Sequence, residues 1–229
     1  MSGAIALIPA RGGSRRIPRK NVRPFLGVPA IQRVIGTIQG SGVVDRILVS
    51  TDDEEISGLA AEAGAEVPGF RPAELADDHA TTIDVVRHAI EVWLGDRGPS
   101  DRLWVVYPTA LLLTAGMLAE ADERYRALAP EFLASVLRYP HPVERRLVMD
   151  RRGRIRPVHP EHTATRTQDL APSYHDAGQF YVGSVTAWRT GSPIVSADAV
   201  GFEIPRDSVV DIDEPEDWEQ AERLGALRR

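Results

Sequence analysis

Short apolar runs alternate with helical patterns from residue 4 to residue 137 of this 229-residue chain. The apolar runs, each typical of a buried strand, lie at residues 4–8, 47–50, 103–107 and 132–137. The helical patterns lie between them, at residues 29–40, 53–64, 82–94 and 114–128. Strands separated by helices of this length form βαβ units, whose parallel sheet has helices on both faces. The sequence therefore predicts an α/β fold with a Rossmann-like, doubly wound, mainly parallel sheet.

The alternation stops after residue 137. Pro140 and Pro142 interrupt regular structure, and residues 143–158 are rich in arginine. Residues 150–153 read Asp-Arg-Arg-Gly, which predicts a hairpin turn. We therefore expect a small antiparallel insertion within the fold, at residues 138–165.

Regular structure is predicted to return near the end of the chain. The strands expected there lie at residues 179–183, 200–204 and 209–212. A last helix is expected to begin near Glu214, because Pro215 suits a first helical turn. No long linker separates these elements, so we expect one domain over residues 1–229.

Composition excludes several classes of function. The chain has no cysteine, which excludes disulfides, thiolate metal sites and cysteine nucleophiles. Its net charge of −6 argues against binding to nucleic acid, which needs a basic face. No signal sequence or membrane-length apolar run is present, so we expect a cytoplasmic protein that binds no membrane.

A cationic loop follows the first predicted strand. It contains Gly12 and Gly13 and five cationic side chains, namely Arg11, Arg15, Arg16, Arg19 and Lys20. Successive backbone N–H groups in a glycine-containing loop can bind an anion, and Arg and Lys add charged contacts to phosphate. The loop fits neither the P-loop nor the dinucleotide pattern. It predicts a nucleoside triphosphate site, with an ordinary solvated loop as the alternative.

Two aspartates near the end of the chain form a candidate metal site. Asp211 and Asp213 flank Ile212 in a predicted strand, where alternate side chains share a face. Mg²⁺ is bound by one or two carboxylates together with water and phosphate oxygens. The alternative is that Asp213 caps the helix that begins at Glu214.

Two further helix starts are predicted from capping residues. Thr51 or Asp52 could cap the helix at 53–64, and Thr81 or Thr82 the helix at 82–94. Residues 71–78 precede the second helix, so they form either a ligand loop or only a capped helix start.

Polar residues suited to a polyhydroxylated or carboxylated substrate gather at 166–169 and 174–181. His175 and Asp176 are adjacent in sequence, and neighbours usually point apart. We therefore do not interpret them as a catalytic dyad.

These motifs together resemble the acylneuraminate cytidylyltransferases, the CMP-sugar synthetases. The resemblance rests on residues 8–14 and 18–21, 50–52, 71–78, 107–109, 166–169 and 211–213, in that order along the chain. Within the family, residues 174–181 resemble the pseudaminic acid branch. The resemblance implies a fold of the nucleotide-diphospho-sugar transferase type. It also implies a reaction in which CTP condenses with a nine-carbon acidic keto sugar, releasing pyrophosphate and requiring Mg²⁺.

The resemblance also implies roles for individual residues. Catalytic roles fall to Arg11, Lys20 and Asp211. Nucleotide-binding roles fall to Arg11, Gly12, Gly13, Ser14, Arg15, Lys20, Asn21, Arg71 and Thr82. Sugar-binding roles fall to Tyr107, Thr109, Arg166, Gln168, Gln179 and Tyr181. The metal ligands would be Asp211 and Asp213, and the insertion at 138–165 would be the arm of a homodimer.

Three residues depart from the family pattern: Arg15 stands where Lys is usual, Leu111 where Pro is common, and Tyr107 where sialic acid enzymes have Gln. The last two leave the sugar open. The alternatives are a related enzyme acting on sialic, legionaminic or keto-deoxy-octulosonic acid, or a nucleotide-binding module without catalysis.

Overall fold

The computed structural model describes residues 3–14, 16–77, 80–95 and 101–228. Its strands are β1 (Ala4–Pro9), β2 (Pro24–Phe25), β3 (Val28–Pro29), β4 (Arg46–Ser50), β5 (Arg102–Val106), β6 (Phe132–Arg138), β7 (Leu147–Met149), β8 (Ile155–Pro157), β9 (Tyr174–Ser184) and β10 (Val200–Glu203). Its α-helices are α1 (Ala30–Ser41), α2 (Glu54–Glu62), α3 (Thr82–Ala89), α4 (Ala115–Leu128), α5 (Val185–Thr190) and α6 (Pro215–Ala226).

Six strands form one central sheet in the order β10-β6-β9-β5-β1-β4. All neighbouring pairs are parallel except the two that involve β9, which runs antiparallel to β5 and β6. The predicted mainly parallel sheet is therefore confirmed. Because β9 runs the other way, its first residues lie at the same edge as the carboxyl ends of β1, β4 and β5.

Both faces of the sheet are covered, as the apolar runs predicted. In β1, Ala6 and Ile8 pack into one core cluster with α1, α4 and α6, while Ile5 and Leu7 pack into a second cluster with α3 and α5. A strand buried on both faces needs apolar residues at every position, which explains the unbroken run at its start.

Some predicted elements differ from the structure. Residues 82–94 form α3 and then a π-helical turn at Ile90–Leu94, rather than one α-helix. The strand expected at residues 209–212 is wrong, because this segment pairs with no strand. Ile212 is buried, but its carbonyl oxygen accepts a hydrogen bond from the Lys20 Nζ at 2.7 Å. The segment thus crosses the carboxyl edge of the sheet and does not extend it.

The predicted hairpin is present within residues 138–165. β7 and β8 pair antiparallel, and Asp150 N–H donates to the Arg154 carbonyl at 2.9 Å. Gly153 has a φ of 77°, a conformation that glycine adopts without strain. Three large apolar side chains of this hairpin are more than half exposed, namely Leu147, Met149 and Ile155. Within the described ranges, no helix is both long and apolar enough to cross a membrane.

Candidate functional site

A cleft of about 480 Å³ lies at the carboxyl edge of the sheet. Its walls come from the loop after β1, from the segment that leads into α3, and from the residues that follow β5. It brings together eight of the residues predicted from the sequence: Arg11, Ser14, Lys20, Asn21, Arg71, Thr82, Tyr107 and Thr109. The carboxyl edge is where open α/β sheets bind ligands, so the structure supports the location expected for the site.

The first turn of the cationic loop packs closely on the start of α2. Gly12 N–H donates to Asp52 Oδ1 at 2.8 Å, and a Cβ on Gly12 would lie 2.7 Å from Asp53 Oδ2. Only glycine fits at this position. Asp53, rather than Thr51 or Asp52, caps α2 by accepting from Ile56 N–H at 2.9 Å. Asp52 instead holds the loop by accepting the hydrogen bond from Gly12. The prediction that Thr51 or Asp52 caps this helix is therefore wrong.

Some cations of the loop line the cleft, and another forms ion pairs elsewhere in the protein. Arg11, Arg16 and Lys20 line the cleft, whereas the Arg19 guanidinium pairs with the carboxylates of Asp53 and Glu55. Arg15 lies outside the described residues. Gly13 belongs to the loop, and a Cβ there would meet nothing within 4 Å. Gly13 is exposed in the structure.

Lys20 is the only lysine of the chain. Its side chain is half-buried, and burial lowers the pKa of its ammonium below the ordinary value, while the negative charges of Asp213 and Asp211 act in the opposite direction. Asp213 also pairs with Arg16, with 2.6 Å between Oδ1 and Nη2. Cations and carboxylates thus meet at one end of the cleft.

Arg71 is a buried cation at the other wall of the cleft. Its guanidinium donates to the Ser50 hydroxyl at 3.0 Å, to the Ser50 carbonyl at 2.5 Å and to the Leu75 carbonyl at 3.3 Å. Burial lowers its pKa to about 10. Ser50, the last residue of β4, thus fixes the Arg71 side chain. No sequence motif indicated this role of Ser50.

Two tyrosines lie between the cleft and the first residues of β9. The Thr82 and Tyr107 hydroxyls lie 2.6 Å apart, and the Tyr107 ring meets the Tyr181 ring edge to face, with 6.0 Å between the ring centroids. Tyr181 in turn donates to Asp176 Oδ2 at 2.5 Å. Burial raises the pKa of both tyrosines, so they are neutral at physiological pH. Asp176 forms no dyad with His175, because its carboxylate accepts from Tyr181 and the His175 ring is hydrogen bonded to the Asp176 backbone carbonyl instead.

The two predicted metal ligands flank the buried Ile212, with Asp211 exposed and Asp213 half-exposed. Asp213 does not cap α6, because Glu214 is the N-cap residue. Asp217 instead accepts from the Asp213 and Glu214 N–H groups at 3.0 and 2.8 Å. Among the described residues, no group of three or more His, Asp or Glu could hold a metal ion together.

Gln179 is buried at a bulge between β6 and β9. Its side-chain amide donates to the Ala177 carbonyl at 2.9 Å, and its backbone N–H donates to the Ser135 hydroxyl at 3.2 Å. The backbone N–H of Phe180 donates to the same hydroxyl at 3.1 Å. Ser135 therefore holds the bulge, although no sequence motif indicated it.

Arg166 and Gln168 do not line the cleft of their own chain. Both are exposed at a short helical turn, Thr167–Asp169, and Arg166 pairs with Asp169 at 2.8 Å. The structure therefore does not bring Arg166 and Gln168 together with Tyr107 and Thr109, the predicted sugar-binding residues that line the cleft.

The chain is similar in sequence to known proteins. The sequence model of the family described as Cytidylyltransferase matches residues 5–94. A Campylobacter jejuni subsp. jejuni serotype O:2 protein named pseudaminic acid cytidylyltransferase is 37% identical over 220 residues, covering 96% of this chain and 95% of that protein. A Helicobacter pylori protein named pseudaminic acid cytidylyltransferase and UDP-2,4-diacetamido-2,4,6-trideoxy-beta-L-altropyranose hydrolase is 32% identical over 218 residues, covering 91% of this chain and 40% of that protein.

The fold is also found among solved structures. A CMP:2-keto-3-deoxy-manno-octonic acid synthetase complexed with CTP superposes with a TM-score of 0.72 at 18% identity, and the match covers 100% of both chains. This likeness confirms the fold type that was predicted from the sequence.

Proposed function

This chain belongs to the cytidylyltransferase family, and we propose that it transfers the CMP group of CTP to a nine-carbon acidic keto sugar of the pseudaminic acid type. Pyrophosphate is the second product. The family and the near full-length relative from Campylobacter jejuni support the chemistry. The single structural observation that supports it best is the cleft, in which the loop after β1 and the buried Arg71 face one space of about 480 Å³. That volume is in the range of small-molecule sites.

The charges in the cleft suggest how CTP lies in it. Arg11, Arg16 and Lys20 gather at the loop, where the triphosphate would be held by charge-assisted hydrogen bonds. The nucleoside end then lies against the wall that contains Arg71 and Thr82. The sugar would enter from the side of Tyr107 and Thr109, near the first residues of β9.

The proposed reaction is a substitution at the α-phosphorus of CTP. The anomeric hydroxyl oxygen of the sugar forms a bond to this phosphorus, and the bond from the phosphorus to the oxygen that bridges to the β-phosphate breaks. The hydroxyl proton is released, and pyrophosphate leaves. Arg11 and Lys20 would stabilise the charge that develops on the leaving pyrophosphate, and the cleft would hold the two reactants in line.

Mg²⁺ is the proposed cofactor, and Asp211 and Asp213 would hold it. Their carboxylates suit this ion, and the structure leaves Asp211 exposed and Asp213 half-exposed on either side of the buried Ile212. When bound, the ion would polarise the α-phosphate and favour loss of the hydroxyl proton. Lys20 and Arg16 contact this segment and would keep the carboxylates beside the triphosphate.

The experiment that tests the proposal is a pyrophosphate-release assay with CTP and a panel of acidic sugars. The panel contains pseudaminic, legionaminic, sialic and keto-deoxy-octulosonic acid, and the CMP-sugar product is identified by mass spectrometry. We expect the highest kcat/KM with pseudaminic acid, and loss of turnover in Lys20→Ala. A higher value with another sugar would reassign the substrate. If the protein binds CTP but releases no pyrophosphate with any of the sugars, the result would favour the alternative of a nucleotide-binding module without catalysis.

We also propose that the protein is a cytoplasmic homodimer, with residues 138–165 as the dimerisation arm. Its hairpin exposes Leu147, Met149 and Ile155, and Met149 lies opposite Ile155 in the strand pair, so the hairpin presents an apolar cluster of the kind that suits a protein interface. In this arrangement, Arg166 and Gln168 would bind the sugar in the cleft of the second copy.

A further inference from the structure

Arg16 connects the loop after β1 to the segment that carries the two proposed metal ligands. Its Nη2 lies 2.6 Å from Asp213 Oδ1, and its Nη1 lies 3.8 Å from Glu214 Oε1. Arg16 also lines the cleft, on the side where the triphosphate is expected. One guanidinium thus lies between a carboxylate proposed for Mg²⁺ and the place proposed for the phosphates. The family resemblance assigned no role to Arg16.

The position of this segment does not depend on Arg16. The Arg16 and Asp213 side chains are 57% and 42% exposed, and an ion pair that is open to water contributes little to stability. Two other contacts hold the segment. Lys20 Nζ donates to the Ile212 carbonyl at 2.7 Å, and Asp217 accepts from the Asp213 N–H at 3.0 Å. The pair can therefore open while the segment stays in place.

The residues present fit Mg²⁺, but Arg16 competes with the ion. Asp211 and Asp213 supply carboxylates, the donors that this ion prefers, and phosphate and water oxygens would complete its coordination. The Asp213 carboxylate already holds one cation, the Arg16 guanidinium. A metal ion at Asp213 has to displace Arg16 or bind beside its positive charge, and either lowers the affinity for the metal.

We propose that Arg16 is a positioning residue that pairs with Asp213 until CTP binds and then moves to the triphosphate, so that CTP and Mg²⁺ bind cooperatively. This inference rests on the proposed CTP and metal sites. The phosphates draw Arg16 away and open the Asp213 carboxylate to the metal. By reciprocity, a metal at Asp213 releases Arg16 for the phosphates. The protein is thereby kept from binding a metal ion before the nucleotide.

The test measures Mn²⁺ binding to the protein without nucleotide or sugar, from the loss of the free Mn²⁺ signal in electron paramagnetic resonance. Mn²⁺ is the probe because it shares the preference of Mg²⁺ for carboxylate and water oxygens. In Arg16→Gln we expect the Mn²⁺ affinity to rise about fivefold, the upper range for one exposed ion pair. Arg16→Lys keeps the positive charge and should stay near the parent value.

A second measurement is CTP affinity by isothermal titration calorimetry without metal. It should fall about tenfold in Arg16→Gln, because one charge-assisted contact to phosphate is lost. The opposite signs of the two changes distinguish this role from a structural one, since damage to the fold would weaken both ligands. Arg223→Gln is the matched control, because it removes an exposed, ion-paired arginine in the last turn of α6. It should change neither affinity.

An unchanged Mn²⁺ affinity in Arg16→Gln would overturn the inference, as would an unchanged CTP affinity. Asp213→Asn separates this result from a failure of the proposed metal site. If Asp213→Asn weakens Mn²⁺ binding and Arg16→Gln leaves it unchanged, the metal site stands and the role of Arg16 is wrong. If Asp213→Asn does not change Mn²⁺ binding, or if neither the parent nor Arg16→Gln binds Mn²⁺, both the metal site and the inference are wrong.

Discussion

At the scale of single residues, the candidate site depends on a few charged side chains, most of which lie in the loop after β1. The opening loop lines the cleft at the carboxyl edge of the sheet, because its cations follow a buried strand directly. The partners of these cations were not predictable: Arg19 pairs with α2, and Lys20 contacts a carbonyl 192 residues away. Such contacts depend on tertiary packing, and no local pattern encodes them.

The role of Asp211 can be tested by Asp211→Asn, which keeps the shape of the side chain and removes its charge. The residue is exposed, so the free energy of unfolding should change by less than about 0.5 kcal/mol. Turnover should fall by about 100-fold or more, because a metal ligand acts mainly in the transition state. The measurement is a Mg²⁺ titration of pyrophosphate release. Parent activity with the same Mg²⁺ dependence would place the metal site elsewhere.

Lys20 offers a direct test of triphosphate binding, because selective ¹³C labelling of lysine would give a single Cε resonance. Without ligand, the pKa of Lys20 should lie below the ordinary value of 10.5, since burial disfavours the charged ammonium. Phosphates stabilise the charged form, so CTP should raise this pKa. CTP affinity should then fall as the pH rises from the pKa of the free protein to that of the complex.

The comparison for this measurement is cytidine, which has the base and no phosphates. It should leave the Lys20 titration unchanged. An equal shift with cytidine and CTP would mean that Lys20 does not contact the triphosphate.

At the scale of elements, four strands of the central sheet up to residue 137 and most of the helices between them were predictable because each has its own periodicity, whereas the two-residue strands β2 and β3 and the π-helical turn at Ile90–Leu94 were not. The β6–β9 pair was not, since its bulge depends on one buried hydroxyl. Four residues of β9, at 177–180, lie opposite the single residue Ser135. A bulge of this kind redirects side chains, here those of Asp176, Gln179 and Tyr181. The strand predicted at residues 209–212 does not form. Its apolar residues fit the pattern of a strand, but such a pattern does not guarantee that a neighbouring strand is available to pair with it.

Ser135→Ala is expected to destabilise the bulge. It would leave the buried N–H groups of Gln179 and Phe180 without their acceptor, at a cost of about 2 kcal/mol in the free energy of unfolding. Denaturant unfolding measures this cost. Ser57→Ala in α2 is the control and should change stability by less than about 0.5 kcal/mol. Equal stability of the two variants would show that Ser135 does not hold the bulge.

At the scale of the whole molecule, the hairpin of β7 and β8 is the proposed contact between two copies. Replacing Met149 and Ile155 with Glu should convert the dimer to a monomer, because two charges would be placed in an apolar interface. Light scattering at micromolar concentration gives the mass. Val195→Glu places a charge at an equally exposed apolar residue outside the hairpin and should leave the dimer intact. A monomeric parent protein would contradict the proposal.

The last prediction concerns Arg166, which does not line the cleft of its own chain and which, in the proposed dimer, would reach a substrate in the cleft of the second copy. Arg166→Ala and Lys20→Ala homodimers should each have little activity. After the two are mixed, denatured together and refolded, half of the dimers combine both variants. Each mixed dimer has one cleft with its own Lys20 and the partner's Arg166, so activity should recover to about a quarter of the parent value. If Arg166 acts within its own chain, every mixed dimer contains two damaged sites and no activity returns. Arg223→Ala is the control for the loss of a charge, because Arg223 is an exposed arginine of α6 that is ion-paired with Glu219. This variant should keep full activity without being mixed with another.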